Sequence, residues 1–268
     1  MEYSTLKRAS LAIFALALVA VVPARADEWS KTYQLTGKPD LQIETSDANI
    51  RVTTWEQSTI EAKVVTTRYK IGEGGIRVEE HQAGNSVQIE VHYPHHVFNI
   101  EFGPNRVEVI IQMPREGNVN LRTGDGKIEI AGLKGAMDLR TGDGSENLDN
   151  VEGKLHATTG DGHIKANGRF DELELKTGDG SVEVRASTGS SLNAGWRLET
   201  GDGSVSLEVP GDLAADVDLH TSDGHIDLDM PVTTSGKLRQ NEIQGKLNGG
   251  GNLLMIRTGD GSIHLRKA

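Results

Sequence analysis

One ten-residue pattern, Leu121-Arg-Thr-Gly-Asp-Gly-Lys-Ile-Glu-Ile130, recurs along this chain, with cognates beginning at Leu139, Ala157, Leu175, Leu198, Leu219 and Ile256. Seven copies make the chain a repeat protein, and a repeat restricts the fold to stacked or arrayed units. The repeated aspartates are Asp125, Asp143, Asp161, Asp179, Asp202, Asp223 and Asp260, which stand 18, 18, 18, 23, 21 and 37 residues apart. Asp47, within Ile43-Glu-Thr-Ser-Asp-Ala-Asn-Ile-Arg-Val52, marks a degenerate eighth copy.

Apolar residues alternate on both sides of each Gly-Asp-Gly, as in Leu175-x-Thr177 and Val182-x-Val184, which is the period of a half-buried strand. The tripeptide between them reads as a corner. Glycine there would supply positive φ, and the aspartate would bond to backbone amides two residues on. A second corner follows at Ala131-Gly-Leu-Lys-Gly135 and Asn150-Val-Glu-Gly153. At a fixed offset of 18, Met137, Leu155 and Leu173 align, as do Leu139, Ala157 and Leu175, and Thr123, Thr141, Thr159 and Thr177. Stacked rungs require this exact recurrence, because each residue then sits on its own cognate at about 4.8 Å; a chain of hairpins does not. The expected fold is all-β, a parallel β-solenoid (β-helix-like) over 116–268 with 18–23-residue rungs, preceded over 27–115 by an antiparallel β-hairpin region that caps it. Residues 230–255 interrupt the repeat and are expected to form a loop or lateral excursion. One position breaks an inward column, which reads Ile128, Glu146, Ile164, Val182. Burying an unpaired carboxylate is costly, so a local bulge is expected to turn Glu146 outward and let Leu148 fill the space.

The amino terminus reads as an address. Lys7 and Arg8 precede an apolar run from Leu11 to Val22, and Pro23 leads into Ala24-Arg25-Ala26. That is the form of a Sec signal peptide over 1–26, cleaved after Ala26. Twelve apolar residues span about 18 Å as a helix, short of the roughly 30 Å hydrocarbon core, so no integral membrane segment is expected once the signal is removed. The expected location is periplasmic, secreted or envelope-associated. The net charge of −11 argues against a nucleic-acid partner, which would need a concentrated excess of Lys and Arg. The absence of cysteine removes thiol catalysis, disulfides and zinc-thiolate sites.

The Leu-x-Thr-Gly-Asp-Gly-x-Ile-x-Ile repeat follows a strand region ending in Val109-Ile-Ile-Gln-Met-Pro114, itself after a signal peptide. With these features the chain resembles the bacterial putative-adhesin domain family, and it is similar to the related head domain of autotransporter adhesins, over about Leu41 to Leu265. The resemblance implies a non-enzymatic envelope or surface interaction protein whose partner is an envelope or surface component, glycan or protein. The alternatives are a polysaccharide-active β-helix enzyme and a periplasmic envelope-stress scaffold.

No residue is assigned a catalytic, cofactor-binding or metal-binding role. The aspartate column invites a calcium reading, but one carboxylate per rung supplies few of the six to eight oxygens that calcium takes. A polysaccharide-active site would gather acids and a base in one groove, whereas the outward acids here recur evenly among Arg122, Arg140, Lys165 and Lys176. Trp196 and Phe170 are the main aromatics available in the rungs for stacking on sugar. His92, His95 and His96 read as exposed loop or strand-end histidines, His163 and His225 as solvated substitutions beside the corner, and Gly249-Gly-Gly251 as a flexible turn.

Overall fold

The computed structural model describes residues 27–67, 69–94, 106–234 and 239–268. The signal-peptide reading of 1–26 lies outside these residues, as do His95 and His96. The described chain is strand and turn, with no helix. Before residue 116 it forms β1 (Asp27–Gln34), β2 (Asp40–Thr45), β3 (Asn49–Trp55), β4 (Thr59–Thr66), β5 (Arg77–Ala83), β6 (Ser86–His92) and β7 (Val107–Pro114). Then come β8 (Asn118–Arg122), β9 (Ile128–Ala131), β10 (Lys134–Arg140), β11 (Glu146–Thr158), β12 (Ile164–Thr177), β13 (Val182–Ala186) and β14 (Trp196–Thr200). The chain ends with β15 (Val205–Val209), β16 (Ala215–Thr221), β17 (Ile226–Leu228), β18 (Val232–Thr234), β19 (Glu242–Leu247), β20 (Leu253–Thr258) and β21 (Ile263–Lys267).

Cognate strands pair in parallel. Met137 lies between Val119 and Leu155, and Leu155 between Met137 and Leu173. One face of the stack runs β6, β2, β8, β10, the second halves of β11 and β12, β14, β20 and β16. The other runs β7, β3, β9, the first halves of β11 and β12, β13, β15, β21 and β17. The inward side chains of both faces, among them Leu121, Leu139, Leu175, Ile128, Ile164 and Val182, form one buried apolar cluster.

The spatial order of the rungs differs from their order in the chain at both ends. The β20–β21 rung sits between β14–β15 and β16–β17: Thr258 Oγ1 donates to the Gly203 carbonyl at 2.7 Å, and Thr221 Oγ1 donates to the Gly261 carbonyl at 2.7 Å. The copies marked by Asp202 and Asp223 are therefore not neighbours. At the other end the β2–β3 rung lies between β8–β9 and β6–β7. This interleaving leaves β6, β7 and β16 each next to a segment that covers it, while β17 pairs only with β21. Of the two forms expected for the interruption at 230–255, its described residues take the lateral excursion: β19 pairs antiparallel with the edge strand β16, and β18 pairs with β19. Antiparallel β4 covers β7, β1 covers β4, and β5 covers β6. Covered edges remove the unpaired backbone that would recruit another chain. Within 27–115, antiparallel pairing thus belongs to β1, β4 and β5, while β2, β3, β6 and β7 join the parallel stack.

Two sequence expectations about the corner are corrected. Gly124, Gly126, Gly142 and Gly144 do not have positive φ; in these rungs positive φ falls at the second bend, at Gly132 with 81° and Gly153 with 118°. At the first corner glycine is required by close approach, since a Cβ on Gly144 would overlap the Gly126 carbonyl of the rung below. The aspartate side chain does not close the corner either. Among the described residues the carboxylates of Asp125, Asp143, Asp161 and Asp179 have no hydrogen bond, and their backbone N–H groups reach down instead, as Asp143 N donates to Gly124 O at 3.3 Å. Closure falls to threonine. Thr159 Oγ1 accepts from Gly162 N at 3.2 Å within its own corner and donates to the Gly144 carbonyl at 2.9 Å in the rung below. Thr141, Thr177 and Thr200 repeat the arrangement.

Replacing Thr159 by Val keeps the shape, leaves one buried N–H without its partner and removes a rung-to-rung bond. The expected loss is about 2–3 kcal/mol in urea denaturation. An unchanged midpoint would contradict the role given to this column.

Glu146 does not turn outward. It pairs in register with Ile128 and Ile164, is fully buried, and neither carboxyl oxygen has a hydrogen-bond partner among the described residues. Leu148 is buried beside it, and the register shift of β11 falls after Leu148, between Leu148 and Val151. The strand holds its neighbours' register through Glu146, so the side chain follows the inward column. Burial, with a smaller contribution from the Asp138 charge, pushes its pKa up to about 8.

Candidate interaction surface

Alternation along a strand sends every second side chain outward, and the parallel register stacks these outward residues into columns. On the outer face of β3, β9, β11, β12 and β13 one column reads Arg51, Glu129, Asn147, Lys165, Glu183. The next reads Thr53, Ala131, Asp149, with Asn167 and Arg185 continuing it. Together they line an open groove of about 420 Å³. Its charges pair along the columns. Arg51 bonds Glu129 at 2.9 Å and reaches Glu108 at 3.2 Å, Lys165 bonds Glu183 at 3.0 Å, and Arg185 bonds Glu208 at 2.6 Å. Asn167 donates to Asp149 at 3.1 Å.

Hydrogen bonds from Lys127 and then Arg51 hold the Glu129 carboxyl below the usual carboxylate range, and the Arg185 bond does the same for Glu208. Asn147 stands between Glu129 and Lys165, and among the described residues its amide has no protein partner. The groove therefore offers a free amide and the small Ala131 between paired charges.

The other sequence candidates fall as follows. Trp196 and Phe170 are buried and pack edge to face with centroids 6.4 Å apart, so neither can stack on a sugar. His163 is more than a solvated substitution: its Nδ1 accepts from the Ser181 N–H at 2.9 Å, which places the ring proton on Nε2. His225 Nδ1 lies 2.9 Å from the Ser262 hydroxyl in the same relation between rungs. Gly249 and Gly250 make a turn at φ of 91° and 90° after β19. Lys176, Arg122 and Arg140 stay exposed on the opposite face. Of the loop and strand-end placements expected for His92, the strand end is the one found. His92 ends β6 opposite Arg77, with Glu79 opposite Glu90 in the same hairpin. Sequence reasoning missed this grouping, although the Ala83-Gly-Asn85 break predicts the hairpin that creates it.

No helix of the described residues is long and apolar enough to cross a membrane. The fold is similar to that of a putative adhesin from Bacteroides fragilis, at 12% identity and a TM-score of 0.51, covering 91% of this chain and 98% of that one. A putative cell adhesion protein from Clostridium sporogenes gives 15% identity and a TM-score of 0.44, covering 91% and 100%. No curated protein matches the chain. Residues 116–206 match the family described as Toastrack DUF4097, and over that stretch the resemblance carried by the Thr-Gly-Asp-Gly repeat holds.

Proposed function

We propose that the chain is exported through the Sec route, cleaved after Ala26, and acts without catalysis as an interaction module of the cell envelope or surface. In this reading 27–115 supplies the strands that close one end of the rod, and 116–268 presents its faces to a glycan or protein partner. The observation that carries it is the groove over β3, β9, β11, β12 and β13. Its cations Arg51, Lys165 and Arg185 are each matched by a carboxylate, which suits contact with a polar surface. The name of the similar Bacteroides fragilis structure, a putative adhesin, supports the same direction.

Ala131 is exposed on the groove, so Ala131→Trp fills it without touching the core. Sedimentation of the purified chain with envelope material from its own cells is expected to show saturable binding that this variant reduces about tenfold or more, a change of at least 1.4 kcal/mol. Protease or glycosidase treatment of the envelope then separates protein from glycan partners. Equal binding by parent and variant would remove the groove from the proposal, and no binding at all would remove the function.

A further inference from the structure

We propose that Glu79, Glu90 and His92, at the covered end of the stack, form a binding site for a first-row divalent cation, with Zn²⁺ the best fit. The site is built by the β5–β6 hairpin. Its antiparallel register sets Glu79 directly opposite Glu90 and Arg77 directly opposite His92. Like charges placed opposite each other destabilise a strand pair unless something neutralises them.

The distribution of contacts indicates what is missing between them. Each carboxylate uses one oxygen for an orienting partner: Glu79 Oε1 takes the Arg77 Nε at 2.8 Å, and Glu90 Oε1 accepts from Gln88 Nε2 at 2.8 Å. The other oxygens, Glu79 Oε2 and Glu90 Oε2, both turn to His92 Nε2, at 3.7 Å and 3.4 Å. That nitrogen is shielded from solvent and makes no hydrogen bond. Three donor atoms therefore converge within 4.8 Å of one another. The separations are too long for good hydrogen bonds, yet donors bound tetrahedrally to one zinc ion at about 2.0–2.2 Å stand roughly 3.4 Å apart.

Donor chemistry narrows the ion. One imidazole with two carboxylates suits zinc and its first-row neighbours; calcium prefers an all-oxygen set. Arg77 and Gln88 occupy the outer positions from which ligand orientation is set in established metal sites. Three protein donors leave a coordination position open, and His92 and Arg77 also line a cavity with Ser46, Gly74 and Tyr93.

Isothermal titration of the full chain with Zn²⁺ alone tests the proposal. The expected result is one saturable site per chain, weakened about tenfold or more by His92→Ala and by Glu90→Gln, with the thermal midpoint of each metal-free variant unchanged. The imidazole ¹H–¹⁵N resonances of His92 should shift on zinc addition. His264→Ala and Asp179→Asn, which alter the other histidine and aspartate groups, are expected to leave the isotherm unchanged. Absence of a saturable isotherm, or binding that survives His92→Ala and Glu90→Gln but is lost with His264→Ala or Asp179→Asn, would overturn the assignment.

Discussion

The Glu146→Ile variant is expected to be more stable than the parent chain, and by a margin that widens with pH. In the folded chain the carboxyl is enclosed between Ile128 and Ile164 with no hydrogen-bond partner, and burial raises its pKa to about 8. In the unfolded chain it titrates near 4.5. Between these values the folded state holds a proton that the unfolded state has released, so raising the pH favours unfolding. The stability that the protonated form preserves is fully present below about pH 4.5 and is lost as pH rises through about 8. The linkage slope of about 1.4 kcal/mol per pH unit makes the total loss about 5 kcal/mol. Isoleucine removes the titration and restores the aliphatic column. Urea denaturation of both chains from pH 4 to 9 should therefore give a stability difference that grows by about 5 kcal/mol across that window. Glu146→Gln should share the flat pH response while retaining the polar burial penalty. Parallel pH profiles for parent and Glu146→Ile, or a less stable variant, would mean that Glu146 has a partner in solution or that its register differs.

The second large effect concerns the corners. Gly126→Val and Gly180→Val should each cost about 4 kcal/mol or more, because the new Cβ would overlap a main-chain carbonyl of the next rung, Ala48 O for the first and Gly162 O for the second. A backbone atom held between two parallel neighbours has little room to retreat. Asp125→Asn and Asp179→Asn should stay within about 0.5 kcal/mol, since those carboxylates are exposed and make no hydrogen bond among the described residues. Chemical denaturation of the four variants compares them directly. If the asparagine variants lost as much as the valine ones, the carboxylates would have a structural role beyond lining the edge.

These two cases also show where sequence reasoning succeeds and where it stops. The inward columns through Met137, Leu155 and Leu173 and through the threonines are visible because identical residues recur at a fixed offset, and the parallel register places them side by side. Glu146 misleads because a single unfavourable residue suggests a local bulge, whereas the backbone on both sides keeps β11 in step and the carboxyl takes up a proton. Local sequence points to conformation as the reason for the corner glycines, but their requirement is steric and comes from the neighbouring rung, which no local pattern displays.

Rung order was illegible for a different reason. The copies around Asp202, Asp223 and Asp260 present chemically similar edges, so local sequence does not choose which stacks on which. The order found leaves β16 outermost, with its edge free to pair with β19. The groove was half legible. The outward positions of Glu129, Asn147 and Lys165 follow from alternation, but the juxtaposition of Arg51 with Glu129 depends on where the β2–β3 rung enters the stack.

Interleaved parallel stacking is the claim on which the corners, the covered edges and the groove all depend, and the absence of cysteine makes it directly testable. Ser206 pairs with His264, and His264 with Asp227, so Ser206 and Asp227 lie two rungs apart, about 9.6 Å. Adjacent parallel strands, at about 4.8 Å, fall within the Cα separation a disulfide accepts, and strands two rungs apart do not. Under mild oxidation the double variant Ser206→Cys/His264→Cys should form an intramolecular disulfide readily, while Ser206→Cys/Asp227→Cys should remain reduced. Cross-linking of the second pair and not the first would show rungs stacked in chain order and contradict the account.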